Sequence, residues 1–145
     1  MANVQKFDRS VLKVNQAAIM SLTVLAYVLA VPALVAFVAL VMLAGTADPR
    51  LALFQQLYLR VLRPAGIVKP RVVMDDPVPH RFAQGLGGAF MAAATLALAG
   101  GAAALGWALA AIVVALAFVN FAFDYCVGCQ VFFLLSRVGV IRRAA

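Results

Sequence analysis

Apolar residues run along the chain in three long blocks, 17–44, 82–99 and 102–135, each bordered by cations. A membrane-crossing helix needs about 20 consecutive apolar residues, with a lower limit near 17. The second and third blocks meet that length and are separated by Gly100–Gly101, which predicts a tight helical hairpin. The first block is interrupted at Pro32. It reads either as one long kinked crossing or as two short helices, 14–30 and 32–47. Proline is tolerated at a first helical position because its missing N–H would have no partner there.

Charge favours the hairpin. The chain carries 12 Lys and Arg and a net charge of +7. Lys6, Arg9 and Lys13 precede the first block. Arg50, Arg60, Arg63, Lys69, Arg71 and Arg81 lie between the first and second, and Arg137, Arg142 and Arg143 follow the third. With four spans, 14–30, 32–47, 82–99 and 103–124, every cation falls on one side of the membrane, the cytoplasmic side by the positive-inside rule. With three spans, the first cluster falls on the other side. Four spans is the preferred reading, three the alternative. The expectation is a single all-α membrane domain over 1–145, in the inner (cytoplasmic) membrane, with both termini cytoplasmic.

Composition supports lipid as the solvent. The chain is 66% hydrophobic and 12% charged, against about 45–50% apolar and 25% charged in soluble domains. The flanking placement of the cations also sets aside nucleic acid as a partner. The first block far exceeds the roughly 7–15 residues of a signal h-region, so it reads as an anchor and not a removable leader.

The loop between the first two blocks has its own pattern. Leu51, Phe54, Leu57, Tyr58, Val61 and Leu62 recur at helical spacing over 50–63, with Gln56, Arg60 and Arg63 on another face. This predicts an amphipathic helix lying in the headgroup region, with Arg60, Arg63, Arg142 and Arg143 as membrane-surface cations. Pro64, Pro70, Pro77 and Pro79 predict an extended, irregular continuation. Gly85, Gly87 and Gly88 lie within an apolar run, where small residues permit close helix contact.

Cys126-Val127-Gly128-Cys129 is the strongest candidate for chemistry. Two sulfurs three residues apart on a helix face one way and can close a disulfide or share a soft metal. As one straight helix, 102–135 would be roughly 50 Å long, so it must tilt or break, and a break near Gly128 would expose the thiols. A C-terminal helix over about 127–141 would follow. Three readings stay open: redox or sulfur chemistry, two small side chains packed in a bundle, and a metal site. The metal reading falls short of the four ligands that structural zinc takes, and no metal or other cofactor is expected.

His80, the only histidine, reads as a solvated loop residue in preference to a ligand. Asp124 is the only acid within the apolar blocks. It is either a proton acceptor near the cysteines or a structural acid paired with Arg81 or Arg137, the second being favoured. Asp75 and Asp76 read as solvated ion-pairing residues. The sequence has no nucleophile elbow, Walker loop or dinucleotide fingerprint.

The stretch Arg81-Phe82-Ala83-Gln84-Gly85, the Ala-rich hairpin and Phe123-Asp124-Tyr125-Cys126-Val127-Gly128-Cys129 together resemble a family of bacterial membrane proteins, domain of unknown function forty-three ninety-five. The resemblance covers most of the chain. It implies a four-helix membrane domain and carries the family's cysteine pair over to Cys126 and Cys129. It also associates the chain with thioredoxin-like and sulfurtransferase partners. Asp124 departs from the family pattern, where a smaller or apolar residue is expected.

The leading functional expectation is a membrane thiol–disulfide or sulfur-handling protein. Its catalytic Cys126 and Cys129 would face the cytoplasm and a thioredoxin-like protein or sulfurtransferase. The alternatives are a non-catalytic scaffold or subunit, and a small channel or transporter for a sulfur compound or metal. Such a channel needs a polar pathway, for which Asn15, Gln16, Gln84, Asn120 and Asp124 are sparse material. A homo-oligomer is compatible with each.

Overall fold

The structure, a computed structural model, describes residues 5–51, 53–66, 69, 71–75 and 77–139. Helix α1 (Arg9–Leu29) is followed by α2 (Pro32–Ala47) and, after a 3-10 turn at Pro49–Leu51, by the short α3 (Leu53–Leu57). A π-helical turn, Tyr58–Leu62, continues α3. Then come α4 (Pro77–Ala99), α5 (Ala103–Phe123) and α6 (Val127–Val138). Helix α1 packs on α2, α2 on α4, α4 on α5 and α5 on α1, so these four close a ring. Helix α6 lies against α4 at one end.

Two short connections make the ring antiparallel. After α1, Ala30 adopts a left-handed conformation, Val31 is extended, and Pro32 starts α2. This is the hairpin that the charge pattern favours. Gly101, with φ of 88°, turns α4 into α5. In lipid every peptide group must be satisfied within its own segment, and helices joined by tight turns at the bilayer edge achieve that. Helices α1, α4 and α5 are long and apolar enough to cross a membrane, and α2 is a shorter apolar helix of 16 residues. All-α architecture follows, with one small addition that the sequence pattern did not announce.

That addition is a two-stranded antiparallel sheet, β1 (Gln5–Asp8) with β2 (Val72–Asp75), in which Asp8 pairs with Val72 and Gln5 with Asp75. The expected irregular loop is therefore pinned to the start of α1. Val72 and Val73 are β-branched and suit a strand, but the partner strand lies more than sixty residues away and cannot be read locally.

The core joins Ile19 and Ala26 of α1, Val35, Val38 and Met42 of α2, Phe54 of α3, Met91 and Ala94 of α4, and Ala110 and Val113 of α5. Large apolar side chains also point outward, including Val28, Leu40, Leu96, Leu105 and Phe118. An outward apolar surface of this extent suits contact with lipid. The loop helix differs from the amphipathic expectation. Phe54 and Tyr58 are buried in protein, whereas Leu51, Leu57 and Val61 of the same apolar set are exposed. Arg60 and Arg63 are exposed, while Arg142, Arg143 and Asp76 lie outside the described residues.

Asp8 ties the loop to the bundle. Its Oδ1 accepts from the Ser10 N–H at 3.0 Å, capping α1, and from the Arg71 N–H at 2.9 Å. Its Oδ2 accepts from the Tyr58 hydroxyl at 2.8 Å. Burial alone would raise the Asp8 pKa, but these hydrogen bonds to the ionised form outweigh it and hold the carboxyl below its ordinary value. Burial, then the bond to Asp8, raises that of Tyr58.

A folded-state pKa below the unfolded one stabilises the fold above the unfolded value, about 3.9. That contribution disappears as pH falls through the lower folded value. Replacing Asp8→Ala should lower stability by about 1–3 kcal/mol, through the lost cap and the orphaned Tyr58 and Arg71 donors. Thermal unfolding in detergent at pH 7 and pH 3 checks this, and the gap between wild type and variant should narrow at the acid pH.

Candidate functional site

Helix α5 ends at Phe123 because Asp124 takes a left-handed conformation, with φ of 53°. Aspartate enters that region more readily than most residues. The chain restarts with Cys126 as the N-cap of α6, and its Sγ accepts from the Cys129 N–H at 3.2 Å. The break therefore falls at 124–126, between a helix ending at Phe123 and one starting at Val127. Gly128 serves packing: a Cβ there would lie 2.5 Å from the Ala83 Cβ and 2.9 Å from the Ala83 Cα. Its bare Cα lets α6 seat directly on α4.

Cys126 and Cys129 form a disulfide, with their Cα atoms 5.2 Å apart, within the usual range for such bridges. Cys126 is half-buried, whereas Cys129 is 6% exposed. The His80 Nδ1 lies 3.4 Å from the Cys129 Sγ, and the His80 Nε2 lies 3.2 Å from the Asp75 Oδ2. Asp75 also receives Arg9 at 3.2 Å. An ionised carboxylate only accepts, so the proton is assigned to Nε2, leaving the Nδ1 lone pair facing Cys129. The arrangement is a sulfur, an imidazole and a carboxylate in series, the order by which an imidazole moves a proton while a carboxylate fixes its tautomer.

His80 corrects the sequence reading most. It is no solvated loop residue, because its side chain is 15% exposed and it belongs to the first turn of α4. The helix starts at Pro77, earlier than the expected span at 82. Pro77 and Pro79, expected in an extended, irregular loop, both fall in the first turn of α4, where N–H groups have no intrahelical partner. Asp75 is likewise drawn from the solvated loop into the site by the β1–β2 ladder. A proline-led helix start just before the lone histidine was the one available signal.

Asp124 has ion-pair partners other than those expected. It pairs with Lys13 at 3.4 Å and Arg71 at 3.5 Å, and not with Arg81 or Arg137. Arg81 instead donates to the Thr46 carbonyl at 2.6 Å, at the end of α2. A cation beside the last carbonyls of a helix is favourably placed.

The donor atoms of His80, Cys126 and Cys129 all lie within 4.8 Å of one another. With the disulfide opened they would offer three ligands, one fewer than structural zinc takes. A cavity of about 250 Å³ opens beside Cys126, His80 and Gly128. Apolar side chains of α1, α2, α4, α5 and α6 form most of its wall, with the amides of Asn15, Gln16, Gln84 and Asn120 among them.

Residues 7–137 match the sequence model of the family described as Domain of unknown function (DUF4395), and the chain belongs to that family. No curated protein and no solved structure matches the chain.

The contact between Gly128 and Ala83 sets the distance from Cys129 to His80. Gly128→Ala should force α6 away from α4 and cost about 1–3 kcal/mol, the usual range for an added methyl in a packed contact. Thermal unfolding reads the loss. After reduction, Cys129 should also react faster with maleimide than in the wild type.

Proposed function

We propose that this membrane protein exchanges electrons with a cytoplasmic thiol partner through the Cys126–Cys129 disulfide. One observation carries the reading: the disulfide caps the start of a helix while its buried sulfur touches an imidazole backed by a carboxylate. A packing pair of cysteines requires neither feature.

Exchange begins when a partner thiolate attacks the half-buried Cys126 Sγ. A bond forms between the partner sulfur and Cys126, the Cys126–Cys129 bond breaks, and Cys129 leaves with the electron pair. A proton taken up from water at the His80 Nδ1 lone pair passes to that leaving sulfur, while Nε2 keeps its own proton on Asp75. A second partner thiol then displaces Cys126, completing a partner disulfide and a Cys126/Cys129 dithiol. In reverse, Nδ1 removes the Cys129 proton as that thiol attacks the mixed disulfide. Negative charge on Cys126 is favoured by the Cys129 N–H and by the helix start. A thioredoxin-like protein supplies the chemistry such a partner needs, and a sulfurtransferase supplies the variant in which sulfur is passed.

The topology we propose has four crossings, with α2 as the short one. The starts of α1 and α4 and the end of α5 then lie at the cytoplasmic face of the inner membrane. Lys13, Arg71 and Asp124 meet at this end, as do Arg81 and the last carbonyls of α2. Arg60 and Arg63 would sit among lipid phosphates.

Membrane-impermeant maleimide should label the pair in inverted vesicles only, and only after reduction. Cys129→Ser should trap a mixed disulfide between Cys126 and the partner. His80→Asn should slow exchange about a hundredfold, with a smaller loss for Asp75→Asn. Labelling from neither side after reduction, or full partner function in the Cys126→Ser/Cys129→Ser double variant, would overturn the reading in favour of a structural pair in a scaffold.

A further inference from the structure

The cavity beside the disulfide has the chemistry of a binding site for a lipid-soluble quinone. Its volume is about 250 Å³, while an apolar cavity of roughly 150 Å³ already admits benzene. A substituted six-membered ring therefore fits. Ile19, Met42, Phe90 and Val113 supply apolar wall, and a few polar groups fix orientation, the usual make-up of a small-molecule site.

Those polar groups are unspent. Asn15 is 4% exposed, and among the described residues its side chain makes no hydrogen bond; nor do the Gln16 and Asn120 side chains. Gln16 and Asn120 are half-buried, so Asn15 is the amide whose polar group most calls for a partner inside the cavity. Here three amides line one cavity that also touches Cys126. Each can donate to a carbonyl oxygen, and a quinone presents two across an apolar ring.

Access points the same way. Cys129 is almost inaccessible, so a protein thiol reaches the pair only through Cys126. The cavity reaches the same Cys126 from between α1, α4, α5 and α6, behind largely apolar walls that suit a lipid-soluble reactant. We propose that it holds a quinone head group that reoxidises the Cys126/Cys129 dithiol, an inference that rests on the exchange reading above. The reaction balances. Two thiols lose two protons and one electron pair as the S–S bond forms. The quinone gains both, its two carbonyls becoming the hydroxyls of a quinol.

The test uses the purified full-length protein in detergent, reduced with a phosphine and desalted without oxygen. The probe is a short-chain ubiquinone substituted at every ring position, so that thiols cannot add to the ring. Loss of quinone absorbance and loss of free thiol are followed together. We expect one quinol per disulfide formed, a rate that saturates with quinone, and no reaction in Cys126→Ser. Asn15→Leu should raise the half-saturating quinone concentration roughly fivefold to tenfold, with little change in the saturated rate. If glutathione disulfide oxidises the reduced protein and the quinone does not, the quinone site is overturned and thiol exchange stands. Oxidation by quinone that neither saturates nor responds to Asn15→Leu also overturns the site. If neither oxidant restores the disulfide, both readings fall.

Discussion

Helix α4 can approach α2 and α6 closely because glycine and alanine stand at those points of contact. Gly85, Gly87 and Gly88 face Thr46, Met42 and Leu43 of α2, where an added Cβ would lie 2.8–3.0 Å from those side chains. One turn earlier, Ala83 meets Gly128 of α6. Between helices in lipid there is little hydrophobic gain, so close van der Waals contact must supply the association, and small residues permit it. The same property fixes where α6 begins relative to α4. The separation of Cys129 and His80 is therefore a consequence of how near two backbones come.

The polar end of the bundle is organised differently, by hydrogen bonds across long sequence separations. Asp8 holds Ser10, Arg71 and Tyr58, while Asp75 holds Arg9 and His80. The β1–β2 ladder brings the two segments together, with Gln5 opposite Asp75. These bonds lie outside the apolar spans, and within this network the buried Arg9 Nε is left without a partner among the described residues. Asp124 belongs to this set: its pairing with Lys13 and Arg71 fastens the end of α5 to the start of α1 and to the loop.

Much of the fold was legible because lipid imposes a simple code. Long apolar runs, the Pro32 and Gly100–Gly101 interruptions and the cation clusters at block edges were enough to place helices and hairpins. Cys126 and Cys129 were legible as a pair because a three-residue offset closes locally. Failures came where one residue type has two meanings. Proline at 77 and 79 suggested an extended loop, yet in a first helical turn it is compatible with helix. Glycine at 128 lies just after the helix break, yet its own part is close packing on Ala83, and the left-handed residue that makes the break is Asp124. Tyr58 and Phe54 fitted an amphipathic face, but local spacing cannot say whether that face meets lipid or protein.

The sequence by itself determined that the chain lives in a membrane, that its helices alternate direction, and that two sulfurs can join. Each of these follows from free energies that act over a few neighbouring residues: apolar transfer, turn conformation and ring closure. Only the tertiary structure decided that His80 and Asp75 stand behind Cys129 and that three unspent amides open beside Cys126. His80 is 49 residues from Cys129 in the chain. Their contact depends on the closeness of α4 and α6 and on the pairing of two distant strands, which no local pattern of hydrophobic and polar positions encodes.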